Sequence, residues 1–184
     1  MRVISGYLKG RTIKGHDIKG TRPTMSRVKE SIFASIQDYT KDSITLDLFA
    51  GSGSLGIEAI SNGSKYCYFI DNNKIAVNII KENITNLNIN DKTKIIHTDY
   101  NKALSTFKDN NIKFDLIFID PPYNYKNIND IIETITNYNI LNKNGLLILE
   151  FKYDNISLDN NVYLLHKFKK YGDKFISIYK KTID

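Results

Sequence analysis

A strand-like run, Ile44-Thr45-Leu46-Asp47-Leu48, leads directly into Phe49-Ala50-Gly51-Ser52-Gly53-Ser54-Leu55-Gly56 and then into a helical pattern from Leu55 to about Ser61. Three glycines at GxGxxG spacing between a buried strand and a helix point to a doubly wound α/β sheet with a nucleoside-bearing ligand at the turn. The remaining pattern agrees. Apolar runs at 66–70, 94–97, 114–119 and 145–150 alternate with helical periodicity at 74–87, 103–107 and 128–138. Near-continuous apolar strands separated by helices predict a mostly parallel sheet covered on both faces. Val162 to Phe168 and Lys174 to Tyr179 turn at Tyr171-Gly172-Asp173, which predicts a closing hairpin that can add an antiparallel strand. Ahead of the first strand, residues 2–13 alternate between Gly6, Gly10 and Gly15 as a short hairpin would. A helix begins at Thr24 or Ser26, with Val28, Ile32 and Ile36 on one face. The 184 residues suit one domain, 1–184, with 1–40 as a basic hairpin-plus-helix extension.

The glycine loop alone is compatible with NAD or with S-adenosylmethionine. Asp71 ends the next strand, 20 residues after Gly51, where its carboxylate can accept hydrogen bonds from two ribose hydroxyls. Asn72 follows it as a further cofactor candidate. Asp47, just before the loop, favours the second cofactor: a carboxylate there repels a pyrophosphate but tolerates a cationic ammonium and sulfonium. Asp99, with Tyr100 beside it, is placed to accept from an adenine amino group; its alternative role is the N-cap of the helix that follows. Cys67, the one cysteine, sits inside a strand and reads as core. His16, His97 and His166 are scattered without partners, and no metal site is expected.

The most apolar strand, 114–119, ends in Asp120-Pro121-Pro122-Tyr123. Ligands of open α/β sheets bind beyond the carboxyl ends of the strands. Two prolines stiffen the turn and remove its amide protons. A carboxylate oxygen of Asp120 and the carbonyl of Pro121 can together accept both hydrogens of an NH₂ group. Tyr123 can stack on a flat substrate. That arrangement suits methyl transfer to a planar amino nitrogen, a poor nucleophile whose developing positive charge the acceptors stabilise.

Charge bears on the substrate. Residues 1–30 carry eight positive and two negative side chains, so the whole formal excess of +6 lies in this segment. A basic arm beside a neutral body is the footprint of nucleic-acid binding, the plainer alternative being a solvated basic face. No apolar run approaches the ~20 residues that span a bilayer. The single cysteine excludes a disulfide framework and fits a reducing, cytoplasmic setting.

Asp47 to Gly56 together with Asp120 to Tyr123 resembles the class I amino-methyltransferases. Arg2-Val3-Ile4-Ser5-Gly6, Lys9-Gly10-Arg11, Arg22-Pro23-Thr24, Arg27-Val28-Lys29-Glu30 and the Lys170-Tyr171-Gly172 turn narrow the resemblance. With these the chain resembles the bacterial enzymes that methylate the exocyclic N2 of one guanine in 16S ribosomal RNA. The resemblance implies a seven-stranded Rossmann-like sheet, with S-adenosylmethionine at Asp47, Phe49, Gly51, Ser52 and Gly53 and its ribose on Asp71. It also implies that the Arg22–Arg27 region lies over the cofactor and RNA entrance. Arg2, Lys9, Arg11, Arg22 and Arg27 are then the phosphate contacts. The implied partner is 16S ribosomal RNA. A small-subunit assembly intermediate is the expected form, with naked RNA and the finished subunit as alternatives, and a monomer is the simplest expectation for so large a substrate. Adenine-N6 methylation of DNA, a dinucleotide-dependent reductase and a non-catalytic RNA-binding assembly factor are the competing readings.

Overall fold

A computed structural model describes residues 1–15, 26–122, 128–152, 158 and 161–183. Seven strands form one sheet in the order β3-β2-β1-β4-β5-β7-β6. Strands β1 (Ile44–Asp47), β2 (Tyr66–Asp71), β3 (Thr93–His97), β4 (Phe114–Ile119) and β5 (Leu141–Phe151) run parallel. β7 (Lys174–Lys181) pairs antiparallel with β5 and with the edge strand β6 (Tyr163–Tyr171). The mostly parallel doubly wound sheet expected from the alternating pattern is present, closed by the expected hairpin.

β5 starts four residues earlier than its apolar run suggests, because Leu141 pairs with Phe114 before a register shift carries the ladder to Leu116 and Leu146. Helix α4 (Tyr100–Asp109) is likewise longer than its apolar centre, since Asp99 caps it and fixes the first turn.

Two layers cover the sheet. α4 and α5 (Ile128–Asn137) bury Leu104, Phe107, Ile131 and Ile135 against Leu46, Ile117 and Leu147. On the other face, α1 (Ser26–Thr40) buries Val28, Ile32, Phe33 and Ile36 against Phe118, Ile148 and Ile178. α2 (Ser54–Ser61) and α3 (Lys74–Leu87) complete that side. No helix among the described residues is long and apolar enough to cross a membrane.

The amino-terminal hairpin reduces to one antiparallel bridge, Arg2 to Thr12, extended by Val3 N–H to the Arg11 carbonyl and Ile13 N–H to the Met1 carbonyl. It lies on α2 and α3. Val3, Leu8 and Ile13 are buried with Ile57, Ile60 and Ile84. Leu8 N–H donates to Ser61 Oγ at 3.0 Å, and Ser61 Oγ donates to the Ser5 carbonyl at 2.5 Å. A Cβ on Gly6 would stand 1.8 Å from the Ser61 carbonyl oxygen, so only glycine allows this approach. Lys29, which a charge count places among the solvated cations of the basic arm, is buried: its Nζ meets Glu58 at 2.9 Å and the Arg2 carbonyl at 3.1 Å. A charge count locates cations along the chain but says nothing about burial, so this cation does not belong to any basic surface.

Candidate functional site

The strand order reverses between β1 and β4, which opens the crevice at their carboxyl ends. Both candidate motifs converge there. Asp47 closes β1 opposite Phe118 of β4, and Asp120 follows two residues later on that neighbouring strand. Leu48 N–H donates to the Phe118 carbonyl and Ala50 N–H to the Ile70 carbonyl, so the loop at 48–53 is strung between β4 and β2.

Gly51 and Gly53 adopt φ of 56° and 78°. Gly56 is needed for close packing instead. A Cβ there would lie 2.3 Å from the Phe69 ring, and its absence lets α2 press onto β2. The carboxylates are oriented by main-chain amides. Asp71 Oδ2 accepts from Gly51 N–H and Oδ1 from Asn73 N–H, each at 2.8 Å, leaving each oxygen a second acceptor position. Asp47 is only 2% exposed and accepts from Gly56 N–H at 3.0 Å. Burial pushes its carboxyl up to about 7, against the Gly56 hydrogen bond that lowers it and with a smaller push from the charge of Asp71. Among the described residues neither carboxylate forms an ion pair.

Phe49 and Tyr100 meet with ring centroids 5.6 Å apart, bringing the loop and the first residue of α4 together at the carboxyl end of the sheet. Asp99 does cap α4, through Oδ1 and Lys102 N–H at 3.0 Å, so one of its oxygens is committed to the helix. Asn72 is exposed, with its carbonyl 3.0 Å from His97 Nε2. Ser52 is buried, and its carbonyl accepts from Asn83 Nδ2 at 2.9 Å.

On the acceptor side Asp120 is half-buried, Pro121 buried and Pro122 exposed. Tyr123 lies outside the described residues, as does Arg22. Arg2, Lys9, Arg11 and Arg27 are all exposed. Arg11 nonetheless commits one donor to the Asn86 carbonyl at 2.8 Å, which ties it to α3.

One charged pair near the crevice has no counterpart in the sequence reading. Glu150 follows Leu149, the partner of Ile119, and therefore stands beside Asp120 at the end of the neighbouring strand. It is 5% exposed, bonded through Oε1 to Lys174 of β7, and among the described residues its Oε2 has no hydrogen-bond partner. The signal available is parity: Glu150 shares a strand face with buried Leu146 and Ile148, a position where a charge demands an explanation. A cavity of about 640 Å³ lined by Ile44, Lys65, Tyr66, Tyr68 and Lys92, among others, lies at the amino ends of β1 and β2, away from this crevice. Among the described residues no cluster of His, Cys, Asp and Glu is arranged to hold a metal ion.

Comparisons with known proteins point the same way. The family model described as conserved hypothetical protein 95 matches residues 1–180. The chain is 37% identical over 183 residues to the putative rRNA methyltransferase YlbH of Bacillus subtilis, covering 98% of this chain and 99% of that protein. It is 31% identical over 172 residues to ribosomal RNA small subunit methyltransferase D of Haemophilus influenzae, covering 94% and 89%. Among solved structures, a putative methyltransferase yhhF from Escherichia coli superposes with a TM-score of 0.89 at 24% identity over 100% of this chain and 99% of that one.

Proposed function

The chain belongs to the conserved hypothetical protein 95 family of class I methyltransferases, and on that premise we propose that it methylates the exocyclic N2 of a guanine in 16S ribosomal RNA with S-adenosylmethionine as donor. The observation that carries this reading is the meeting of two carboxylate sets across the β1–β4 reversal. Asp47 and Asp71 lie on one side, and Asp120 with its prolines on the other.

The donor set fits the cofactor. Two carboxylates held by backbone amides, with no cation paired to them among the described residues, suit a ligand that brings its own positive charge and a ribose diol. Asp71 has acceptor positions left for the diol; Phe49 and Tyr100 offer aromatic surface for a purine. Asp99 and Asn72 flank that end, and Gly51, Ser52 and Gly53 form the floor of the loop. When bound, S-adenosylmethionine supplies an electrophilic methyl group.

The remaining work belongs to side chains at the carboxyl end of β4. The Asp120 carboxylate and the Pro121 carbonyl accept the two N2 hydrogens, which turns the nitrogen lone pair out of conjugation with the ring. The same acceptors would stabilise the positive charge that grows on nitrogen as the methyl group exchanges its bond to sulfur for one to nitrogen. The Asp120 carboxylate can take up the N2 proton that is then lost. Pro121 and Pro122 hold the acceptors fixed, so alignment carries much of the rate enhancement. Tyr123 stacks on the base, and a guanine inside a paired region has to be turned out of its helix to arrive there. Arg2, Lys9, Arg11, Arg22 and Arg27 are the phosphate contacts of this reading. Lys9 and Arg11 stand by the carboxyl-terminal ends of α2 and α3, at the end of the sheet away from the crevice, and would hold RNA at a distance from the target base. The reading extends to a monomeric, cytoplasmic enzyme acting on a small-subunit assembly intermediate.

The test mixes the protein with radiolabelled S-adenosylmethionine and small ribosomal subunits or their precursors, with DNA in parallel. Label is expected in RNA as N2-methylguanine. Asp120→Ala should lower the rate by about 10²–10³-fold, the range seen when one preorganised charge-stabilising contact is removed. Label in DNA adenine, or full activity of the variant, would overturn the reading.

A further inference from the structure

β6 ends the sheet, and its outer edge pairs with no other strand among the described residues. Its residues include His166, Lys167, Lys169 and Lys170 and no acidic side chain. In the middle of them Phe168 is 46% exposed. The ring is not isolated. It stacks on Phe175 with centroids 5.8 Å apart and planes at 23°, and Phe175 stacks on Phe151 at 5.7 Å and 18°. Lys170 Nζ lies 5.2 Å over the Phe175 ring. Phe151 is the last residue of β5, two beyond the Leu149 that faces Ile119. A ladder of three stacked rings thus runs from the carboxyl end of β5, the strand next to β4, to solvent at the sheet edge. Three strand spacings, roughly 14 Å, separate β4 from β6.

Phe151 and Phe175 are buried and need no explanation beyond the core. Phe168 is different, because nearly half of it faces water, with Lys170 on the same face of the sheet while Lys167 and Lys169 project to the other. Protein surfaces that bind unpaired nucleic acid combine these two elements, an aromatic face on which a base stacks and a basic track for the backbone.

We propose that the β6–β7 edge holds single-stranded RNA that flanks the target nucleotide, with a base stacked on Phe168 and a phosphate on Lys170. This rests on the reading of the crevice as an RNA-modifying site. A second copy of the chain is the other occupant an exposed strand edge could attract. Pairing two β6 edges would bring like charges together, and lysines on an edge strand oppose such pairing. The local charge is complementary to a polyanion and repels another copy.

Equilibrium binding of a short unstructured RNA to the full chain, measured at several salt concentrations, tests this. Phe168→Ala should weaken binding about tenfold, within the span of one base–aromatic stack, while Phe168→Tyr keeps the stack and binds like the parent. Lys170→Ala should reduce the slope of log K against log salt by about 0.7, one phosphate contact to a single strand. Affinity for S-adenosylhomocysteine and the melting temperature should not move, which separates lost RNA contact from lost folding. RNA binding by Phe168→Ala equal to that of the parent overturns the proposal, as does a parental dimer that this variant dissociates. The parent's methyl transfer to small subunits is measured alongside. Transfer with no dependence on Phe168 refutes the edge alone. RNA binding that depends on Phe168 without transfer supports the edge and refutes the function.

Discussion

Glu58 and Asp47 are both buried carboxylates on the α1–α2 side of the sheet, yet their surroundings are opposite. Glu58 is 0% exposed, and its oxygens meet Lys29 Nζ at 2.9 Å, Ile4 N–H at 2.7 Å and Ser5 Oγ at 3.4 Å. Asp47, 2% exposed, has one backbone amide and the negative field of Asp71. Among the described residues the first site is complete and the second lacks a cation. A buried charge that is fully partnered locks an arrangement, whereas one without a counter-charge stores a demand for a ligand. The contrast separates architecture from site without reference to any motif.

Removing one member of the complete pair should have the largest effect. Lys29→Ala leaves Glu58 buried and unpaired, which is expected to destabilise the fold by about 3–5 kcal/mol in denaturant titration. The double variant Lys29→Met with Glu58→Gln should recover most of that. Failure to recover would mean that the pair contributes more than mutual neutralisation.

A smaller, opposite effect is expected at the incomplete site. Asp47 has a native carboxyl raised above its unfolded value of 3.8 to about 7. Its contribution to stability is therefore fully present below about pH 4 and is lost as the pH rises through about 7. Asp47→Asn removes that penalty, so at pH 8 it should be more stable than the parent by about 1–3 kcal/mol, less at pH 5. The same substitution should weaken S-adenosylmethionine binding about 100-fold, the loss expected when a buried charge partner is neutralised. A variant that is less stable at pH 8, or that binds normally, would break the contrast with Glu58.

The subtlest expectation concerns protons. A cationic ligand favours ionised Asp47, so its binding below pH 7 should release part of a proton and its affinity should rise toward pH 7 and then level. Calorimetry in buffers of different ionisation enthalpy reads this directly. Proton release that is absent at pH 6 would place the ligand's charge away from Asp47.

Legibility in the sequence follows the range of each interaction. The glycine loop, the strand ends at Asp47, Asp71 and Asp120, and the alternation of strands and helices are local patterns, and the sheet forms around them as expected. Lys29 escapes a local reading because its partner Glu58 is 29 residues away on another helix, and nothing in a short window signals the pairing. Glu150 and Lys174 meet only through the antiparallel β5–β7 register. Gly6 reads as a turn residue in the sequence, whereas its close approach to Ser61 exists only once the hairpin has docked. Asp99 shows the reverse case: the cap is visible locally, and the fold adds Tyr100 against Phe49 beside it.

That docked hairpin also bears on how the chain is made. Ile4 bonds to Glu58 and Lys14 to Asn83, spans of 54 and 69 residues, so the segment has no place to settle until α2 and α3 exist. At roughly 5–20 residues per second of synthesis, several seconds pass between the two. Throughout that interval Val3, Leu8 and Ile13 have no apolar surface to cover them. Their neighbours Arg2, Lys9 and Arg11 keep the waiting segment charged, and charge flanking an uncovered apolar run is what keeps it from associating with the wrong surface.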